Sequence, residues 1–132
     1  MKQLIIILFA AVTALSFGCS ADDGIKVINV SEFAKAVKND TTAVILDVRT
    51  AEEFAEGHIA GALNIDVKDD AAFDNGVKAL KRDKTYYVYC RSGRRSHKAA
   101  AKLQAAGFSA IDMEGGITAW KDAEMPIEVS AK

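Results

Sequence analysis

Cys90 is followed directly by Arg91-Ser92-Gly93-Arg94-Arg95-Ser96, and it is the only cysteine outside the N-terminal apolar segment that ends at Cys19. A thiol followed by three arginines, two serines and a glycine has the composition of a sulfur nucleophile in an anion-binding loop. The thiolate is the reactive form of cysteine, and nearby positive charge favours it. Gly93 opens backbone conformations closed to other residues, which a tight loop around one atom requires. The alternative for any lone cysteine is a buried structural role, but a core position is not followed by so polar a run. Each arginine taken singly also fits solvated surface charge.

The flanking residues say how such a loop would be held. Residues 85–89 are aromatic and β-branched and read as a strand, whereas residues 96–106 have helical composition. Cys90 therefore falls between a strand end and a helix start. Backbone N–H groups are unpaired there and the helix dipole is positive, so a thiolate, persulfide or oxyanion is stabilised.

Apolar and amphipathic runs alternate along the rest of the chain. Extended segments are expected at 25–29, 43–48, 62–65 and 110–113, and helices at 32–38, 51–56, 70–80 and 117–121. Thr50 and Glu53 have capping-box spacing and mark the start of one helix. Ala43-Val44-Ile45-Leu46 and Tyr86-Tyr87-Val88-Tyr89 are nearly continuous apolar or aromatic runs, as in strands covered on both faces. The pattern predicts an α/β domain with a small parallel sheet. In such sheets ligands bind beyond the carboxyl ends of the strands, where Cys90 falls. Phe33 and Phe54 are expected in the core, and Trp120 and Gly115-Gly116 as packing and turn residues.

The chain has 132 residues, half of them hydrophobic, and one proline, which suits a single compact domain. Lys2, an apolar stretch from Leu4 to Leu15 and small or neutral residues up to Cys19 form the pattern of an export signal. The apolar run is shorter than the roughly 20 residues of a membrane-spanning helix. Leu15-Ser16-Phe17-Gly18-Cys19 resembles a lipoprotein cleavage site, although Ser16 and Phe17 depart from its usual pattern. The expected organisation is a signal peptide at 1–18, a lipidated Cys19 with a tether to residue 24, and a domain at 25–132. Ser16 and Gly18 also fit the small-x-small site of an ordinary signal peptidase, and that alternative leaves an unmodified Cys19 and an exported protein without an anchor. Either route places the domain outside the cytoplasm, in the cell envelope if Cys19 is lipidated, with the lipid as the sole membrane contact.

The formal charge of −1 becomes −2 once residues 1–18, which hold only Lys2, are removed. A nucleic-acid binder would show a broad basic excess rather than one local cluster. With Cys19 lipidated, Cys90 has no disulfide partner in its own chain. No metal is expected, because His58 and His97 stand apart and no second cysteine lies at ligand spacing. No cofactor is called for.

Four stretches together resemble the rhodanese-like domains: Leu46-Asp47-Val48-Arg49 with Glu53-Phe54; Gly57-His58-Ile59-Ala60-Gly61-Ala62 with Asn64-Ile65; the Cys90 loop; and Glu114-Gly115-Gly116 with Trp120. Their order and spacing agree from Ile25 to about Ile127. The resemblance implies one small parallel sheet flanked by helices, and a loop cysteine that takes the outer sulfur of an anionic donor such as thiosulfate. The sulfur is then held as a persulfide and passed to a thiol, cyanide or a protein acceptor. Cys90 takes the nucleophile's role, and Arg91, Ser92, Gly93, Arg94, Arg95 and Ser96 form the cradle for the donor. Asp47, Arg49, Glu53 and His58 are assigned by the resemblance to structural support behind the site, and His97 is read as a solvated helix residue.

Two other readings compete. A cysteine phosphatase or arsenate reductase also sets a thiolate in a loop between strand and helix, but it needs an arginine six positions after the cysteine, where this chain has Ser96. A non-catalytic module that docks a partner or senses sulfur species is the second alternative. Inactive rhodanese-like domains often lack the cysteine that this chain keeps.

Overall fold

The computed structural model describes residues 24–130. Five strands, β1 (Lys26–Ile28), β2 (Ala43–Asp47), β3 (Leu63–Asn64), β4 (Thr85–Tyr89) and β5 (Ser109–Met113), alternate with five helices. These are α1 (Val30–Asn39), α2 (Ala51–Glu56), α3 (Asp70–Lys78), α4 (Arg94–Ala105) and α5 (Gly116–Asp122). The strands form one parallel sheet in the order β1-β5-β4-β2-β3. Both edges are short, which limits pairing with other chains. Among the described residues, no helix is long and apolar enough to cross a membrane.

Alternation along the central strands divides the core in two. Tyr86, Val88 and Cys90 face one side of the sheet, with Phe73 of α3 and Ala99, Ala100 and Leu103 of α4. Tyr87 and Tyr89 face the other, with Phe33 of α1 and Ile117 and Trp120 of α5. Side chains two apart in a strand share a face, so one apolar run supplies both layers. Phe33 is fully buried and meets Tyr87 and Trp120 edge to face, at centroid distances of 5.6 and 6.2 Å.

The chain leaves β2 toward β3 on one side and leaves β4 toward β5 on the other. The carboxyl ends of β2 and β4 thus flank the point where the winding reverses, which is where open α/β sheets form ligand crevices. The end of β2 and the segment after it bring Asp47, Val48 and Arg49 to this crevice, and Val48 N–H donates to Tyr89 O at 3.1 Å. The segment after β4 brings Cys90.

Besides α1, which starts at Val30, two residues before the expected 32, three expectations need correction. Helix α4 begins at Arg94, two residues earlier than its composition predicts, because Gly93 with φ +110° turns the chain directly into the helix as its N-cap. Phe54 is only half-buried, and it stacks face to face on His58 with ring centroids 3.8 Å apart. It lies on α2, which has no buried residue. His97 is not simply solvated: its Nδ1 lies 3.4 Å from Oδ2 of Asp112, a buried carboxylate on β5.

Candidate active site

Cys90 follows the last residue of β4, and its side chain is 1 % exposed. Gly93 N–H donates to Cys90 Sγ at 3.0 Å. The loop therefore curls back over the sulfur, with a backbone donor at the positive end of a twelve-residue helix that has no side-chain cap. Helix α5 fixes the loop through two of its backbone N–H groups. Ile117 N–H of α5 donates to Cys90 O at 2.8 Å, and Thr118 N–H to Arg91 O at 3.2 Å. Gly116 permits this approach: its φ is +60°, and a Cβ there would overlap the carbonyls of Cys90 and Arg91. The Gly115-Gly116 turn thus clamps the loop against the sheet.

The three arginines differ in circumstance. Arg95 is half-buried and bonds Glu53 bidentately, Nη1 to Oε1 at 2.7 Å and Nη2 to Oε2 at 2.9 Å. Glu53 also completes the capping box of α2, accepting from Thr50 N–H while Thr50 Oγ1 accepts from Glu53 N–H. The hydrogen bonds from Arg95 hold the Glu53 carboxyl at about 2, well below the usual carboxylate range. Arg95 is thus a tie between α4 and α2, its charge already balanced. Arg91 and Arg94 are exposed, and neither has an ion-pair partner among the described residues. Arg91 opens on a cavity of about 370 Å3 shared with Arg49, Glu53, Glu56 and Lys121. Cations in the first turn of a helix oppose its dipole at a cost of about 0.3–1 kcal/mol each, which Glu53 offsets for Arg95.

Ser96, six positions after the cysteine, is buried, and its hydroxyl donates to Gly93 O at 3.2 Å. It braces the loop from within the helix. No guanidinium occupies that position to clasp a tetrahedral oxyanion.

The four residues assigned to support lie behind this loop. Arg49 donates to both oxygens of buried Asp47, with Nη2 to Oδ2 at 2.7 Å, and to Gly57 O at 2.6 Å. Burial opposes the Arg49 charge, but the Asp47 carboxylate prevails and holds the guanidinium above its ordinary value. His58 Nδ1 lies 2.9 Å from Phe54 O. Its backbone exchanges two 2.8 Å hydrogen bonds with Glu128, so the C-terminal segment returns across α2 as a strap. Tyr89 OH accepts from Ile59 N–H at 3.0 Å, which fixes the loop carrying His58 to β4. Thus Asp47, Arg49 and His58 touch the site's framework, whereas Glu53 reaches the loop itself through Arg95. Cys19 lies outside the described residues. Those residues contain no cluster of three or more His, Cys, Asp or Glu side chains able to hold a metal.

A rhodanese-like domain family model matches residues 29–123, from the α1 cap to the end of α5. The chain belongs to the rhodanese-like domain family. It is 36 % identical to thiosulfate sulfurtransferase GlpE of Pseudomonas putida over 75 % of this chain and 87 % of that protein. It is also 36 % identical to a sulfurtransferase of Allochromatium vinosum, over 67 % of this chain and 81 % of the relative. Among solved structures it is similar to a rhodanese-related protein from Thermoplasma volcanium, with a TM-score of 0.71, 32 % identity, and coverage of 80 % of this chain and 99 % of the other. The five-stranded parallel sheet flanked by helices is the architecture expected of this rhodanese-like domain.

Two features of the site were not read from the sequence. One is the Glu53–Arg95 tie, which joins residues 42 positions apart. The other is Asp112, a single acid within Ser109-Ala110-Ile111-Asp112-Met113 that resembles the solvent face of a strand but is buried.

Proposed function

We propose that the protein is a sulfurtransferase in which Cys90 carries a sulfane sulfur as a persulfide, taken from a small anionic donor such as thiosulfate. The observation that carries this reading is the position of the sulfur. Cys90 Sγ lies at the winding reversal of the sheet, in a loop whose Gly93 N–H points at it from the positive end of α4. In the first half-reaction the Cys90 thiolate attacks the outer sulfur of thiosulfate. A new S–S bond forms, the old one breaks, and sulfite leaves with the bonding electrons. In the second, an acceptor nucleophile attacks the outer sulfur of the persulfide and the Cys90 thiolate departs. Splitting the exchange in two avoids bringing donor and acceptor together at once.

Donor and thiolate are both anions, so their approach needs local positive charge. Arg91 and Arg94, exposed on either side of the loop, supply it, whereas Arg95 holds the loop in place. Because Cys90 is buried, donor entry requires Ser92 and the Arg91 side chain, both exposed, to move outward while the Arg91 carbonyl stays on the Gly116 clamp and Arg95 stays tied to Glu53. Acceptors in this reading are thiols, cyanide or partner proteins.

The phosphatase reading is disfavoured by Ser96, whose buried hydroxyl serves the loop backbone. Turnover assays with thiosulfate and cyanide, run beside an aryl phosphate, separate the readings. Thiocyanate formation that is abolished by Cys90→Ser supports sulfur transfer; phosphate release without thiocyanate contradicts it. A non-catalytic sensor would acquire sulfur and fail to discharge it to any acceptor.

The proposal extends to location. Residues 1–18 act as an export signal and Cys19 as a lipid attachment site, with the domain in the cell envelope. Mass analysis of the N-terminus after membrane extraction tests this: acyl chains on Cys19 support it, and an intact Met1 contradicts it.

A further inference from the structure

The strands of a parallel sheet all start at one end, and here that end carries a charge that sulfur transfer does not use. Ala43, Thr85 and Ser109 lie side by side there, at the starts of β2, β4 and β5. Helices α1, α3 and α4 run back to this end, with Lys38, Lys78 and Lys102 in their last turns. Cations at helix C-termini complement the dipole, which accounts for those three. It does not account for Lys81, Arg82 and Lys84, which lie beyond α3 in the connection to β4. None of Lys38, Lys78, Lys81, Arg82 and Lys84 has an ion-pair partner among the described residues. The acids in the same turns and connections are Asp83 and Asp40, and Asp40 already accepts from Thr42 and Tyr87. A chain with a formal charge of −1 thus has one distinctly basic end.

The same end has an apolar groove. A cavity of about 580 Å3 between α3 and α4 is floored by Phe73, Val77, Leu80 and Phe108, and its rim carries Lys78, Arg82 and Lys102 against one acid, Asp74. Arg82 Cζ lies 4.6 Å from the centre of the Phe108 ring and Lys102 Nζ 5.3 Å from that of Phe73, so cations sit at the edge of the apolar floor. Lys102 also reaches Asp70 at 3.3 Å, and Arg82 donates to Ala106 O at 2.8 Å. Cations around an apolar floor suit a ligand with an anionic head and a hydrocarbon body, the chemistry of an anionic phospholipid.

The point where the chain enters the domain favours a membrane over a protein partner. Gly24 lies beside the end of α4: a Cβ on it would be 3.7 Å from the Gln104 side chain. Ala105 and Ala106, the next two residues, line the groove. The five steps from a lipidated Cys19 to Gly24 span at most about 18 Å, so the anchor keeps the basic end close to the headgroups. We propose that this end docks on an anionic phospholipid surface, with Lys78, Lys81, Arg82 and Lys84 meeting the phosphates and the groove receiving the apolar part of a lipid. The inference rests on the lipid-anchor reading above, and it adds a protein surface to the lipid as a membrane contact. The strand rises about 17 Å from Thr85 to Cys90. Docking therefore turns the cysteine loop away from the membrane, toward soluble donors and acceptors.

The test expresses the full chain, purifies the protein from membranes and reconstitutes it into phosphatidylcholine vesicles with or without phosphatidylglycerol. Lysines are acylated with a membrane-impermeant reagent and read by peptide mass spectrometry. Lys121, exposed and lining a cavity with Arg91 at the opposite end of the sheet, is the internal reference. Labelling of Lys78 and Lys81 relative to Lys121 is expected to fall by about fivefold or more on the anionic vesicles and to recover in high salt. Lys81→Gln combined with Lys84→Gln is expected to remove at least about half of the protection of Lys78. Equal labelling on both kinds of vesicle, protection of Lys121 instead, or undiminished protection in the double variant overturns the proposal. Protection of Lys78 and Lys81 by polyglutamate but not by anionic vesicles overturns it in favour of an acidic protein partner. The N-terminal peptide is weighed in the same sample. A Cys19 without acyl chains overturns the anchoring reading and this proposal together; an acylated protein with unprotected lysines overturns this one alone.

Discussion

Glu53→Gln isolates the tie between the cysteine loop and α2. Glutamine keeps the size of the side chain and an acceptor for the capping box, which tolerates either residue. What it removes is the charge facing Arg95. In the native protein the Glu53 carboxyl falls from 4.5 to about 2, first because of the Arg95 hydrogen bonds. A displacement of that size corresponds to about 3 kcal/mol of preference for the ionised form. The two side chains are still 20 % and 26 % exposed, so screening reduces the expected loss to about 1–2 kcal/mol. The sign follows from the lowered value. Stability from ionised Glu53 is fully present above about pH 4.5 and disappears as pH falls through about 2. Urea unfolding from neutral pH down to about pH 2 should therefore show wild type more stable than Glu53→Gln by a constant margin down to about pH 5. The two curves should converge near pH 2. A margin that persists unchanged at the acid end would show that glutamine disturbs packing or the cap, and would refute the assignment of the energy to the ion pair. Glu53→Gln should also raise the reactivity of Cys90 toward alkylating reagents, because an untied Arg95 lets the loop open more often.

Other substitutions probe the remaining supports. Gly116→Ala should destabilise by about 2–4 kcal/mol in thermal unfolding, since its φ is +60° and the new methyl group overlaps the Cys90 and Arg91 carbonyls. Arg49→Met leaves the fully buried Asp47 carboxylate without its ion partner and should cost about 3–5 kcal/mol in denaturant titrations. Ending the chain after Pro126 removes the His58–Glu128 bridge and the Ile127 side chain that packs on Gly57. Because the lost strap holds α2, hydrogen exchange should quicken in α2 before it changes in β4, with a stability loss of about 1–2 kcal/mol.

Much of this architecture is legible in the chain itself. The nearly unbroken apolar runs of β2 and β4 betray strands covered on both faces, and Thr50 with Glu53 marks the start of α2 at the residue where it occurs. The cysteine loop is readable because charge, glycine and thiol fall within seven consecutive residues. What escapes sequence reasoning depends on register across the sheet. Whether an acid in β5 faces solvent or α4 is decided by how β5 pairs with β4, where Asp112 lies beside Val88. His97 looks like a surface residue until that register is known. The partner of Arg95 likewise becomes apparent only when the fold brings the start of α4 within reach of Glu53 on α2. Phe54 leaves the core for a related reason: α2 is a single short helix whose apolar residue is taken up by stacking on His58.

The central claim is that Cys90 is the sulfur carrier, and intact-mass measurement of the protein after exposure to thiosulfate tests it most directly. The account predicts a gain of one sulfur atom on wild type, removed by cyanide and absent from Cys90→Ser. An unchanged mass with thiosulfate and with other sulfane donors, or the same gain on Cys90→Ser, would contradict it.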